Sequence, residues 1–427
     1  MIRSRRSFLG ASLAAASAPL ILPSRVLGAL SPSNTINVGV IGLGDRGSQH
    51  LQTLLPMPGV RVIGVCDVQR KKAEHWKTQV DRDQGDQACL AVQDARELIA
   101  RPDIDAVFIT SPENWHAFHD IWAMRAGKDV YGEKGIALTV REGREIVTTA
   151  RGLGRVFQTG TQQRSQGQFR RAVEMARNGY LGKLKNVQVS VPSGLGHFQK
   201  LSIVKPSPVP PDIDYDLWLG PAPYTPYDEK KCTYYWYFMS DTCAGWIQSW
   251  GIHHIDIAHW GCPEFGRGRV TVEGEAQFPT DGLADVSYAW RVKYTSAGGL
   301  TIDYKNDEAP GYDHGVRFIG DEGWVHVTRG GIDANPKSLL NLVLKPSDLH
   351  EHVSNNHIDD FFSSMRTRRD PASPVEEGHK ANTLTLIADI ATRLRRKLTF
   401  DWATESFVDD PAADRMLSRA HRAPYVL

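Results

Sequence analysis

The 427-residue chain lacks several features that would settle its class at once. Outside the extreme N-terminus it has no apolar run long enough to cross a bilayer, which argues against a membrane enzyme. It has no excess of one charge: 50 Lys and Arg stand against 49 Asp and Glu, so no global field gathers nucleic acid or an anionic surface. The five cysteines, Cys66, Cys89, Cys232, Cys243 and Cys262, are odd in number and include no CxxC pair. That argues against a disulfide framework and a zinc site, and leaves room for one bridge. HExxH and internal repeats are also missing, so no metal is expected. What is present is the balance of a soluble globular protein, 41% hydrophobic and 23% charged, in a chain longer than one core usually organises. Two domains are expected.

The chain opens with a basic head, Arg3 and then Ser4-Arg5-Arg6-Ser7-Phe8-Leu9. An apolar, Ala-rich stretch follows from Gly10 to Leu22, with small residues near Val26-Leu27-Gly28-Ala29. Residues 1–29 therefore read as a cleavable twin-arginine signal, too short in its apolar part to anchor a chain, and a periplasmic or otherwise exported protein is expected. That route carries proteins already folded, often around a cofactor.

A β-rich run, Thr35 to Val40, leads into Gly42-Leu43-Gly44-Asp45-Arg46-Gly47 and a helical stretch. GxGxxG between strand and helix is a pyrophosphate cradle: two glycines allow the turn and close backbone approach, and the third lets helix pack on strand. A second strand, Val60 to Cys66, ends in Asp67, 20 residues after Gly47, where a carboxylate can bind ribose hydroxyls. Its charge would repel a 2′-phosphate. NAD is therefore expected over NADP, although nearby Arg70 keeps the latter open.

Strand and helix signals then alternate through Val156 to Thr159, the rhythm of a doubly wound parallel sheet over residues 33–160. From 161 to 427 the rhythm changes. A helix near Ser165 to Asn178 and a strand at Leu184 to Val191 precede a loop, 192–226, that holds eight of the 24 prolines. Strands at Val270 to Phe278, Asp285 to Tyr294, Leu300 to Asp303, Val316 to Ile319 and Trp324 to Thr328 follow without intervening helices. They predict an α+β domain with a mainly antiparallel sheet. An amphipathic helix near Ala381 to Arg396 is expected to pack back near the first domain.

Two further segments lie at strand ends, where such sheets bind ligand: Ser111-Pro112-Glu113-Asn114-Trp115-His116 and Gly132-Glu133-Lys134-Gly135. With GxGxxG, the Pro-x-x-x-His and Glu-Lys-x patterns resemble the Gfo/Idh/MocA family of sugar and cyclitol oxidoreductases. Asp216-Leu217-Trp218-Leu219-Gly220-Pro221, Gly251-Ile252-His253-His254-Ile255-Asp256 and Arg422-Ala423-Pro424-Tyr425 resemble its exported branch. The resemblance implies a nicotinamide cofactor held by Gly42, Gly44, Asp45, Arg46, Gly47, Asp67, Ser111, His116, Glu133 and Lys134. It also implies that Lys134 contacts the reacting hydroxyl. The family's proline is Gly135 here, which predicts a looser lysine. The family's aspartate four residues before His253 is Ser249, which puts simple inositol-type dehydrogenation in doubt.

On a helix from Ile252 to Trp260, residues three apart share a face, so His253 is the candidate base with Asp256 orienting it or holding a hydroxyl. Aromatic residues from Tyr234 to Phe238, with Trp246 and Trp250, offer flat faces for a pyranose. Candidate substrate contacts are Gln162, Arg164, Tyr237, Trp250, His253 and His254. A carbohydrate substrate and a homo-oligomer are expected. Two enzymatic readings stand, hydride transfer at a ring hydroxyl and glycoside cleavage by transient oxidation and elimination, beside a third in which the chain binds NAD without turnover.

Overall fold

The computed structural model describes residues 35–192, 198–306 and 314–427; the export segment read at 1–29 lies outside them. Six short apolar strands form a parallel sheet: β1 Ile36–Ile41, β2 Val60–Cys66, β3 Leu90–Val92, β4 Ala106–Ile109, β5 Asp129–Gly132 and β6 Phe157–Thr159. Their order is 3-2-1-4-5-6. Both faces are covered, so the strands are buried almost throughout, as in β4, where all four residues are buried. The helices that matter below are α1 Asp45–Leu54, α2 Arg70–Gln84, α3 His116–Arg125 and α4 Val140–Gly152. Thr139 and Glu142 form a capping box that starts α4. Strand order reverses between β1 and β4, which opens a crevice at the strand C-termini.

The second sheet has nine strands, in the order 13-12-11-7-10-9-8-14-15. They are β7 Leu184–Val191, β8 Arg269–Gln277, β9 Ala289–Ser296, β10 Thr301–Asn306, β11 Gly315–Gly320, β12 Trp324–Thr328, β13 Gly331–Asn335, β14 Leu398–Asp401 and β15 Ser406–Phe407. Every neighbouring pair is antiparallel except β7 with β10. In β9, Trp290, Val292 and Tyr294 enter the core while Arg291 and Lys293 face outward. Such alternation marks a sheet covered on one face. The cover is α5 Gly167–Arg177, α6 Gly251–Gly261 and α7 Val375–Leu394.

The α7 helix departs from the expectation of an amphipathic element: 15 of its 20 residues are buried. It is wedged among α4 of the first domain, α6 and β8, so it has no broad solvent face. The Pro-rich stretch is irregular apart from a short helix, Tyr215–Leu219; residues 193–197 lie outside the described set. Its distal half is stitched to the first domain. Arg70 N–H donates to Asp212 O at 2.8 Å, Asp214 N–H to Val68 O at 2.9 Å, Trp115 Nε1 to Leu217 O at 2.8 Å and Asn114 Nδ2 to Leu219 O at 3.0 Å. The C-terminal tail locks this segment in turn, with Arg422 donating to the carbonyls of Asp216 and Gly220. All five cysteines are buried and free. No described helix is long and apolar enough to cross a membrane.

Candidate active site

The glycine loop has the geometry its motif requires. Gly42 sits at φ +87°, and a Cβ there would lie 2.6 Å from Ser111 N, so the turn is closed to other residues. A Cβ on Gly47 would lie 1.9 Å from Gly42 O, which is the close packing of α1 on the loop. At Gly44 a Cβ would meet nothing within 4 Å. That open side faces a cavity of about 630 Å³, lined by Gly42, Gly44, Asp45, Arg46, Asp67 and Ser111 from the first domain and by Trp218, Tyr234 and Tyr237 from the second. Its size, glycine floor and the N-terminus of α1 fit a dinucleotide.

Asp67 stands at the end of β2, nearly buried. Its Oδ2 accepts from Leu43 N–H and its Oδ1 from Gln69 N–H, both at 2.8 Å. Burial pushes its carboxyl up from the ordinary carboxylate range. Asp67→Asn keeps an acceptor but loses the charge that would repel a 2′-phosphate. The variant's ratio of NAD to NADP affinity, measured by titration of stripped protein, is expected to shift at least several-fold toward NADP. An unchanged ratio would remove Asp67 from cofactor choice.

Glu133 belongs to a bracket beneath the loop. It is 4% exposed, accepts from Arg46 Nε at 2.6 Å and lies 2.8 Å from His50 Nε2. The Arg46 guanidinium holds its carboxyl well below the usual range. Arg46 remains part of the cavity wall. His116 is a brace as well. Its Nδ1 lies 2.7 Å from Gly135 O and its Nε2 2.8 Å from Ser111 O, so both ring nitrogens are engaged by backbone. The ring ties the two strand-end segments together, and neither nitrogen is left for a cofactor. Ser111 Oγ lies 3.1 Å from His119 Nδ1.

Lys134 projects from the end of β5, half-buried, with its ammonium 5.4 Å from the centre of the Tyr237 ring. Among the described residues no carboxylate or carbonyl bonds to it. The expected looseness at Gly135 is absent. Gly135 N–H, which proline would lack, donates to Glu113 Oε1 at 3.0 Å, while its carbonyl meets His116. A Cβ at this position would come within 2.5 Å of Gln248 Nε2 and 2.7 Å of Asn382 Oδ1. The ends of Gln248 and Asn382 fill the space a side chain would take, and two hydrogen bonds supply the stiffness that proline's ring would have given.

The histidine helix is α6. His253 is 5% exposed, and its Nδ1 is buried with no hydrogen-bond partner among the described residues. Burial, with the charges of Lys134 and Arg329 added, holds its ring well below the ordinary histidine range. It is neutral, the form that can accept a proton. Trp250 packs against His253 and His254 at 5.8 and 4.9 Å, and carries the Arg329 guanidinium 5.0 Å over its ring.

Asp256 does not orient His253. It is 0% exposed and receives both Arg164 Nε, at 2.8 Å, and Nη2, at 2.6 Å. Three residues along a helix leave a net angle of about 60°, so the two side chains start from one face, but Asp256 turns to a partner that His253 does not meet. That partner is Arg164, in the turn after β6, stacked 5.0 Å over Trp260. Arg164 is thereby withdrawn from substrate. His254 likewise turns to the sheet, its Nδ1 2.9 Å from Ser190 O, and burial lowers its pKa to about 3. Gln162 is half-buried with Oε1 unpartnered among the described residues. Glu113 and Arg329 were not singled out from the sequence. Glu113 had a readable signal in its strand-end position, whereas Arg329, exposed in the turn between β12 and β13, had none.

Two family models match the chain. Residues 36–161 match an oxidoreductase family described as an NAD-binding Rossmann fold, and 167–427 match its C-terminal alpha/beta domain. The chain belongs to the Gfo/Idh/MocA family. Among its curated relatives is a protein named glycosyl hydrolase family 109 protein, from Shewanella sp. (strain W3-18-1), 33% identical over 129 residues, 29% of this chain and 28% of that protein. An alpha-N-acetylgalactosaminidase of Shewanella oneidensis is 32% identical over 129 residues, again 29% and 28% of the two chains. The chain thus spans under a third of the length of these relatives. The WlbA dehydrogenase of Bordetella pertussis, solved with NADH and UDP-GlcNAcA, shares the fold at TM-score 0.63 and 15% identity, over 85% of this chain and 98% of that one. The myo-inositol 2-dehydrogenase of Lactobacillus plantarum does so at 0.59 and 17%, over 85% and 98%.

Proposed function

We propose that the protein transfers hydride at a ring hydroxyl of a sugar or sugar derivative, using NAD that stays bound through the cycle. The observation that carries this reading is the Lys134 ammonium beside Tyr237, whose ring lines the cofactor cavity. NAD bound there supplies the hydride acceptor. Lys134 stabilises alkoxide character at the reacting oxygen, and the neutral His253 ring receives or returns the proton. Tyr237 and Trp250 offer faces to the sugar.

Retention follows from the roof. The segment from Asp212 to Tyr237 closes over the cavity and is tied to its rim by the bonds described above and by Gln69 Nε2 donating to Cys232 O at 2.9 Å. Each such bond contributes about 0.5–1.5 kcal/mol, so lifting the roof costs several together. A trapped cofactor suits the exported location proposed from residues 1–29, where released NADH has no pool to reoxidise it. The same enclosure favours a second reading, glycoside cleavage by transient oxidation and elimination, in which hydride returns to the sugar.

Purified protein with no added NAD is expected to carry NAD(H) by native mass spectrometry. It is then given free hexoses and p-nitrophenyl glycosides in deuterium oxide. Hydride passing between sugars without aglycone release supports the first reading. Aglycone release with deuterium incorporation and no net NADH transfers the conclusion to the second. A mass equal to the bare polypeptide, with neither activity, overturns both.

A further inference from the structure

Two segments that stand out in the sequence take no part in the chemistry above: Asp216-Leu217-Trp218-Leu219-Gly220-Pro221 and Arg422-Ala423-Pro424-Tyr425. The structure pairs them across 206 residues of chain. Arg422 Nε donates to Gly220 O and Nη2 to Asp216 O, both at 2.8 Å, while Nη1 meets the Asp216 carboxylate. The Arg422 backbone N–H donates to Pro221 O at 2.9 Å. Between the two carbonyls that the guanidinium holds stand Leu217 and Trp218, and both line the cofactor cavity.

Trp115 lines the same cavity from the first domain. Its Nε1 is the donor to Leu217 O, a Cβ on Gly220 would come within 2.2 Å of its ring, and the Tyr425 ring meets it edge-on at 5.1 Å. Phe118 of α3 supports the segment from beneath, with the His421 ring at 4.9 Å and Tyr425 at 6.0 Å. His421 Nε2 lies 2.8 Å from Oε1 of Glu142, the residue that closes the capping box of α4. Arg419 reaches past the other end of the roof, donating Nη1 to Ser240 O at 3.2 Å and Nη2 to Asp241 Oδ1 at 3.1 Å. Residues 419–425 thus bind both ends of the roof and the first domain at once, yet Arg419, His421, Arg422 and Tyr425 are not among the residues that line the cavity.

We infer that residues 419–425 are the latch of the cofactor cavity, with Arg422 and Tyr425 as positioning residues that hold the 216–220 strip down and set the rate at which the dinucleotide enters and leaves. The inference rests on the NAD retention stated under the proposed function and is independent of the sugar chemistry. A side chain that touched the dinucleotide would act on its affinity. The latch touches only protein, so weakening it lowers the cost of lifting the strip, a step that entry and exit share. Both rates then rise together, and their ratio changes far less than either.

The test uses protein stripped and reloaded with NAD. Release is timed by exchange against excess isotopically labelled NAD with native mass spectrometry, and entry by the change in tryptophan fluorescence on mixing. Arg422→Ala, which removes the side-chain contacts to Asp216 and Gly220, is expected to speed release on the order of tenfold or more, with a much smaller change in Kd. Tyr425→Ala is expected to act in the same direction, and Arg422→Lys, which keeps the charge without the fork, to fall between Arg422→Ala and the unaltered protein. Hydrogen exchange should quicken at amides 214–222 and stay unchanged in β1 and β4. Should Arg422→Ala not fold, Arg422→Lys and Tyr425→Ala carry the same comparison. Faster entry and release in a protein inactive on every sugar would leave the latch standing and count against the proposed function. Unchanged rates in variants whose 214–222 amides exchange faster would overturn the latch, as would a loss of affinity equal to the gain in release rate. Unaltered protein that sheds NAD as fast as Arg422→Ala would overturn the latch and the retention together.

Discussion

Lys134→Ala is expected to lower turnover by about two to four orders of magnitude while leaving bound NAD(H) in place, and His253→Ala should lower it by a comparable factor. The reasoning is positional. Lys134 has no ion-pair partner within the described protein, and its location is fixed by the Gly135 peptide and the Tyr237 ring. Its removal costs the fold little and the reacting oxygen a great deal. The His253 ring lies deeper, on the fully buried face of α6 toward Trp250, where neutral imidazole is the favoured form. Steady-state kinetics on the substrate found by the sugar panel, with cofactor released by denaturation and quantified, checks both variants. A hundredfold loss with full NAD occupancy places the defect in the chemical step. Loss of NAD from Lys134→Ala would instead make the lysine a cofactor anchor, and unchanged turnover would remove it from the mechanism.

Much of this site was legible in the chain, and the parts that were not fail for identifiable reasons. The glycine loop, Asp67 and the first strand-end segment are local patterns whose geometry is dictated by a strand, a turn and a helix, and the structure arranges them around one cavity. The parallel sheet was readable because its strands alternate with helices. Strands β3, β14 and β15 were not, since two to four residues carry no periodicity, and β13 is a five-residue edge strand with one buried position. Side-chain partners across long sequence gaps were out of reach. Helical spacing alone leaves His253 and Asp256 free to share a cleft. Arg164, 92 residues upstream, decides otherwise by reaching Asp256 first. Gly135 carries the same lesson in the other direction. Read by itself, glycine in place of proline means freedom, yet Glu113, His116, Gln248 and Asn382 remove that freedom from three separate segments.

The Arg164 and Asp256 pair supplies the largest expected effect on stability. Both side chains are at most 4% exposed, and the two-pronged contact is joined by Glu377 at 3.6 Å from Arg164, which also lies 3.0 Å from His259 Nε2. The His259 hydrogen bond and the Arg164 guanidinium hold the Glu377 carboxyl well below its ordinary range. Arg164→Ala leaves a fully buried carboxylate with neither water nor a partner. The expected cost is about 3–5 kcal/mol, measured as the change in urea unfolding free energy. Replacing both partners by apolar residues of similar length, Arg164→Met with Asp256→Leu, removes the stranded charge along with the attraction. Most of the loss should then be recovered, because desolvating two ions offsets most of what their contact contributes. The pair also discriminates between roles. A substrate-binding Arg164 predicts a raised KM with the unfolding midpoint unchanged, whereas the observed geometry predicts a lowered midpoint and, in the double variant, a near-normal KM. A double variant that folds stably but no longer binds sugar would return Arg164 or Asp256 to the substrate cleft.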